Sequence, residues 1–301
     1  MNVLNFGSLN IDNVCRVAHF VRPGETLAAK SFERFAGGKG LNQSLALARS
    51  GITVCHAGKI GADGLFLKEI LQASGVDCRF LQVDETLLTG CAMIQVSDTG
   101  ENCIVLYGGA NQELTEEEIC RTLAEFDAGD ILLLQNEVNH LAEIVEIAAG
   151  RGMRIFLNPA PMGENIFRLD LKRVDTLMVN EIEGAELAGC GSPGDFREVL
   201  SLLREKYPKV NILMTLGAEG AVYASSAGGE LVFVPASPVE KVVDTTGAGD
   251  TFIGYFLSGI VQGSPVADAL KTASRAAAHC IAVKGAANSI PWRGEHPDLQ
   301  E

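Results

Sequence analysis

The chain has 301 residues, 47% of them apolar and 21% charged, with a formal net charge of −14. That length and apolar content suit a large α/β domain with a substantial core and exclude a disordered chain. The acidic balance excludes sequence-independent binding to DNA or RNA, which needs a basic face.

The opening residues, Met1-Asn2-Val3-Leu4-Asn5-Phe6-Gly7, read as a first strand, without the basic start and apolar core of an export signal. It runs into Gly7-Ser8-Leu9-Asn10-Ile11-Asp12, where Asn10 and Asp12 are two residues apart and share a face of an extended chain. A carboxylate beside an amide suits a diol; an Asx turn at a strand end is the alternative. Residues 12–35 carry period-two runs with turn signals. Next comes Ala36-Gly37-Gly38-Lys39-Gly40-Leu41-Asn42-Gln43, followed by a helix over 41–50. The motif lacks the spacer of a Walker A loop and has Gly40 at its Ser/Thr position. Its glycines let a polar ligand touch main chain while Lys39 and Asn42 donate to hydroxyls, or it is a tight strand-to-helix turn with a surface lysine.

Residues 88–107 have a hairpin signature: alternating 91–96, the turn Asp98-Thr99-Gly100-Glu101, then 103–106. We place 12–35 and 88–107 in a small antiparallel sheet, a lid or a set of ordinary edge strands. The remaining segments, 1–11, 36–87 and 108–301, form the large domain. From residue 130 onward, strands at 131–134, 154–157, 176–179 and 212–216 alternate with helices at 141–149, 182–187 and 196–207. This alternation predicts an α/β fold with a central, mostly parallel sheet and helices on both faces. Ligands of such sheets bind beyond the carboxyl ends of the strands.

Several strand exits carry chemistry. Asn158-Pro159-Ala160-Pro161 is a rigid turn. Asn180 caps a helix, and Glu183 one turn on either completes a capping box or helps to hold Mg²⁺ through water. Thr215-Leu216-Gly217-Ala218-Glu219-Gly220 suits close contact with a nucleotide. The sharpest marker is Val242-Val243-Asp244-Thr245-Thr246-Gly247-Ala248-Gly249-Asp250-Thr251-Phe252. Two glycines there lead into a helix whose first N–H groups have no partner inside it, and this makes an anion site. Asp250 stands at that site, as a base for a hydroxyl attacking phosphate or as a helix cap. No run of about eighteen apolar residues indicates a membrane span. The eight cysteines lack Cys-x-x-Cys or Cys/His spacing; they read as reduced thiols of a cytoplasmic protein.

Two motifs, Gly37-Gly38-Lys39-Gly40-Leu41-Asn42-Gln43 and Asp244-Thr245-Thr246-Gly247-Ala248-Gly249-Asp250, stand in order about 200 residues apart. With these the chain resembles the ribokinase-like carbohydrate kinases, the PfkB family, from Asn10 to Trp292. The resemblance implies ATP-dependent phosphorylation of a sugar hydroxymethyl group, D-ribose first. A different pentose, a ketohexose or a nucleoside are the rivals, and a non-catalytic sugar- or nucleotide-binding protein is the rival from another class. It further implies Asp250 as general base and the N–H groups of Gly247, Ala248, Gly249 and Asp250 as anion hole. ATP would contact Asn180, Thr215, Gly217, Gly220 and Gly249, with Glu183 placing Mg²⁺. The sugar would meet Asn10, Asp12, Gly38, Lys39, Asn42 and Glu137, and the apolar Ala92, Ile94 and Leu106. A monovalent cation, K⁺ in the first place, would sit at Asp244, Thr246, Ala282, Val283, Gly285 and Ser289, and two copies would pair through the lid as a homodimer. The chain departs from the family pattern in a shortened stretch, Ala282-Val283-Lys284-Gly285-Ala286, and at Ser44 and Tyr107.

Overall fold

A computed structural model describes residues 1–190 and 194–300. In chain order the strands are β1 (Val3–Phe6), β2 (Asn10–Arg16), β3 (Ser31–Gly37), β4 (Cys55–Gly61), β5 (Asp77–Asp84), β6 (Gly90–Val96) and β7 (Asn102–Tyr107). They continue with β8 (Ile131–Gln135), β9 (Arg154–Asn158), β10 (Thr176–Asn180), β11 (Asn211–Thr215), β12 (Gly220–Ala224) and β13 (Val232–Pro235). The helices are α1 (Lys39–Arg49), α2 (Leu65–Ala73), α3 (Glu116–Leu123), α4 (Leu141–Gly150), α5 (Glu181–Ala188), α6 (Phe196–Lys206), α7 (Ala248–Val261) and α8 (Val266–Ile281).

Nine strands form the main sheet in the order β13-β12-β11-β10-β9-β8-β1-β4-β5. All neighbours from β11 to β5 pair in parallel, and β12 and β13 add an antiparallel edge. A sheet covered by helices on both faces must be apolar on both, and β8 is buried at every position. Alternate residues feed two cores. Leu132, Leu134 and Leu157 pack with Ile119, Val145 and Leu203 of α3, α4 and α6. On the other face, Ile131, Leu133 and Phe156 pack with Leu45, Leu67, Phe256 and Leu270 of α1, α2, α7 and α8. Among the described residues no helix is long and apolar enough to cross a membrane.

The second sheet has the order β3-β2-β6-β7. Its two outer pairings are antiparallel, and β2 and β6 join them in parallel, with Asp12 opposite Ala92. It spans 10–37 and 90–107, so its root lies two residues closer to the glycine motif than the 12–35 segment predicts. Strand β7 is exposed along its whole length.

Candidate active site

The parallel strands present their carboxyl ends at one edge, and the predicted residues follow them: Glu137 after β8, Asn180 at the end of β10, Thr215 at the end of β11. Helices α1 and α7 start at the same place. Helix α1 begins at Lys39, two residues before the expected start, which puts Lys39, Asn42 and Gln43 in its first turns. Gly247 precedes α7 in the left-handed conformation, φ 79°, which favours glycine. Asp250, in the first turn of α7, makes no capping hydrogen bond to its own helix. Its buried carboxylate instead accepts from Asn42 Nδ2 at 3.0 Å and Gln43 Nε2 at 2.9 Å. Two positive helix ends thus converge on one carboxylate, which keeps further acceptor capacity.

Around it lie one cation and three more acids. The Asp250 carboxylate, against the cost of burial, holds the Lys39 ammonium above its ordinary range; Glu137 and Glu183 add to this. Burial pushes Glu137 up although Ser8 Oγ and the Lys39 N–H both donate to it. Burial, then the nearby Glu137 charge, pushes Asp12 up to about 7. Asn10 is buried, and its Oδ1 accepts from Asn111 Nδ2 at 2.8 Å. Asn42 Oδ1 is buried with no partner among the described residues. An orphan acceptor of this kind fits a ligand hydroxyl.

The apolar residues expected to meet the sugar are only partly brought together. Ala92 is buried next to Asp12, and Ile94 is half-buried two residues on. Leu106 faces Ala92 across the β6–β7 pair but is 54% exposed, as is its neighbour Tyr107 at 55%. The wall expected over the sugar is open at its outer strand.

On the nucleotide side, Asn180 and Glu183 form a full capping box. Asn180 Oδ1 accepts from the N–H groups of Ile182 and Glu183, and Glu183 Oε2 accepts from Asn180 N at 3.0 Å. Burial raises the Glu183 carboxyl above its ordinary range. Its Oε1 takes no hydrogen bond among the described residues, so one oxygen remains for a hydrated cation. A cleft of about 250 Å³ joins Lys39, Asn180, Glu183, Thr215, Gly247, Gly249 and Asp250. A second of about 530 Å³ shares Thr215, Thr245 and Gly249 with it and continues past Gly217 and Gly220 between Val242, Phe252, Ala277 and Ile281. Gly220 has a backbone reason of its own: φ is 125°, and a Cβ would strike the Val234 carbonyl.

Behind the glycine turn, Asp244 ties two loops. Its Oδ1 accepts from Thr246 N and Oγ1, and its Oδ2 from Gly285 N at 2.9 Å. Burial opposes the charge, but these bonds hold the carboxyl below its usual range. Ser289 is buried, with Oγ 3.0 Å from Cys280 Sγ, and Cys280 points at the Thr246 carbonyl at 3.8 Å. Ala282 and Val283 lie exposed beyond them.

Sequence reasoning missed the layer beneath. Gln135 Nε2 donates to Gln43 Oε1 and Asn5 Oδ1, Asn5 Nδ2 to Ser44 Oγ and the Gly40 carbonyl. Ser44 meets His56 Nδ1 at 2.8 Å, and burial pushes that imidazole down to about 4. No local signal marks Asn111, Gln135 or His56; they come from strands and turns remote in sequence.

The pfkB family carbohydrate kinase model matches residues 2–293. The chain belongs to this family. Ribokinase of Haemophilus influenzae is 34% identical over 98% of this chain and 97% of its own length. Ribokinase of Cryptococcus neoformans var. grubii serotype A in complex with ADP superposes with a TM-score of 0.87, at 35% identity, covering 98% of this chain and 97% of that one. Arabidopsis thaliana ribokinase complexed with ribose and ATP also gives 0.87, at 27% identity, covering 100% and 98%. As a PfkB carbohydrate kinase the chain is a phosphotransferase acting on a hydroxyl group.

Proposed function

We propose that this PfkB kinase phosphorylates D-ribose with ATP to give D-ribose 5-phosphate and ADP. The observation that carries the reading is the Asp250 carboxylate, held by Asn42 and Gln43 from the sugar side while standing at the mouth of the nucleotide cleft. In the proposed reaction the ribose hydroxymethyl oxygen gives its proton to Asp250 and takes the γ-phosphoryl group as the bond to the β-phosphate oxygen breaks. The N–H groups of Gly247–Asp250 receive the charge on the transferring group. Asp12 and Asn42 Oδ1 are left to receive sugar hydroxyls, with Asn10, Gly38, Lys39 and Glu137 around them and Ala92 and Ile94 as the apolar side. Glu183 would hold Mg²⁺ through water, and the metal would neutralise phosphate charge. The cytoplasm, where thiols stay reduced, suits the eight unpaired cysteines.

An ADP-release assay over a sugar panel tests this. D-Ribose should exceed fructose, adenosine and fructose 6-phosphate in kcat/KM by at least about tenfold, or roughly 1.4 kcal/mol. A higher value for fructose or a nucleoside would leave the family standing and remove ribose.

The Asp244 loops support a monovalent-cation site. Replacing a bulky organic cation by K⁺ at fixed ionic strength and saturating Mg²⁺ should raise the rate. Equal rates would mean that the shortened stretch after Ala282 no longer holds an ion. The lid supports a homodimer. Met93, Ile104, Val105 and Leu106 are all at least half exposed, and an unpaired strand with apolar side chains needs cover. Light scattering at micromolar concentration should give twice the chain mass; a monomer mass would refute pairing.

A further inference from the structure

Away from the kinase cleft, one group of side chains has metal-ligand chemistry. His279 stands in the last turn of α8, and His296 and Asp298 lie in the C-terminal segment that folds back on it. Their donor atoms all fall within 4.8 Å of one another. His279 Nε2 lies 3.2 Å and 3.0 Å from the two Asp298 carboxylate oxygens. The two imidazole rings are 4.0 Å apart, centre to centre. The backbone is already fixed on both sides: Arg275 Nη1 donates to the Asp298 carbonyl, and Leu299 is fully buried. The ordering cost of bringing these ligands together is therefore largely met by the fold. Glu295 and His296 line a cleft of about 330 Å³ beside His279, with room for a water ligand.

We propose that His279, His296 and Asp298 form a site for a divalent ion of the Zn²⁺ class that fastens the C-terminal segment to the end of α8. Two imidazoles and one carboxylate, with water as the fourth ligand, are a Zn²⁺ set; Mg²⁺ and Ca²⁺ prefer oxygen alone. A tetrahedral ion with bonds of about 2.0–2.2 Å holds its donors about 3.3–3.6 Å apart, close to the 3.2 Å and 3.0 Å already found between His279 Nε2 and the Asp298 oxygens. Both imidazoles bind as neutral ligands, so His279 binding through Nε2 takes the tautomer with its hydrogen on Nδ1 and gives up its hydrogen bond to Asp298. Charged neighbours in the two flanking clefts are Arg275, engaged with the Asp298 carbonyl, Arg49 and Lys241, and the acids Glu240 and Glu295, whose charges favour a cation. The loop from Ala282 to Ser289 begins directly after α8, so the ion would anchor its root.

The test is a Zn²⁺ titration of the chelator-stripped, nucleotide-free full chain against a chromophoric competitor. His296→Gln and His279→Gln should each weaken the tightest site at least about tenfold, and excess Zn²⁺ should raise Tm by about 3 °C in the parent and not in the variants. Thiols and the kinase carboxylates also bind Zn²⁺, so Co²⁺ serves as a spectroscopic substitute. Its visible band should appear without thiolate charge transfer and vanish in His296→Gln. Both variants should keep ribose turnover within about twofold in Mg²⁺, which shows that they are folded; should one fail to fold, the other decides. Equal affinity in parent and folded variants, or a thiolate band from the tightest site, overturns the proposal.

Discussion

Asp250→Asn should lower kcat by roughly 10²–10⁴, the span for losing a general base, with ATP affinity nearly unchanged. The carboxylate does not cap its own helix, so that structural duty does not account for its presence. It does accept from two amide groups, Asn42 Nδ2 and Gln43 Nε2. An asparagine at 250 offers one oxygen and one NH₂, so one of those donors loses its acceptor. The variant should therefore also lose about 1–3 kcal/mol of stability, visible as a lower Tm in a protein that still folds and binds ADP. Stopped turnover with retained nucleotide binding is the expected pair of results. Turnover near that of the parent would sink the base assignment.

Asp12→Ala should cut kcat/KM for ribose by about 10²-fold or more, because two hydrogen bonds to a charged acceptor are lost at about 1.5–3 kcal/mol each. ATP affinity should stay within about twofold, since Asp12 lines neither nucleotide cleft. Asp12 also sets a pH dependence. Burial and then Glu137 push its carboxyl up to about 7, and only the ionised form accepts from both neighbouring hydroxyls. In the parent, kcat/KM for ribose should fall about tenfold per unit below pH 7, and Asp12→Asn should lose that slope. The stability of the sugar-free protein moves the opposite way. Between the ordinary carboxyl range and pH 7 the folded chain holds a proton here that the unfolded chain has released. The Asp12 contribution to stability therefore grows as pH falls through 7 and is lost as pH rises. A kcat/KM profile with no break between pH 6 and 8 would remove Asp12 from sugar binding.

From β8 to β11 the sequence is easy to read because each strand is a short apolar run, and α-helices separate the runs except between β9 and β10. Strand β4 is hidden for the opposite reason. Cys55-His56-Ala57-Gly58-Lys59-Ile60-Gly61 contains a lysine and a histidine, yet every residue is buried. Lys59 is tolerated because its Nζ reaches Glu118 at 2.8 Å and the Glu113 carbonyl at 2.7 Å. His56 is tolerated because Ser44 and the Gly7 carbonyl satisfy its ring. Those partners are tertiary, and no periodicity announces them. The site divides in the same way. Lys39, Asn42, Gly247 and Asp250 sit in short motifs with their chemistry side by side. Gln135, which braces Gln43, also reaches Asn5 across 130 positions of chain. Gln43-Ser44 is visible as a departure from the family pattern; its meaning, a hydroxyl bonded to a buried imidazole, needs the fold.

The parallel pairing of β2 with β6 has a mechanical consequence. It makes two separate excursions of the chain a single plate. Asn10 stands opposite Gly37 on one side and Gly90 on the other, in the row where both excursions leave the main domain. If the plate turned about that row, a sugar at Asn10, as proposed, would load the axle rather than the rim. From Asn10 to Arg16 the plate extends about 20 Å at strand rise, so a rotation of about 10° at the axle sweeps its far end through about 3.5 Å. A displacement at the sugar too small to alter any hydrogen bond in the root would be amplified at the far row of Arg16 and Val96, while Leu106, in the row of Asp12 and Ala92, would move little.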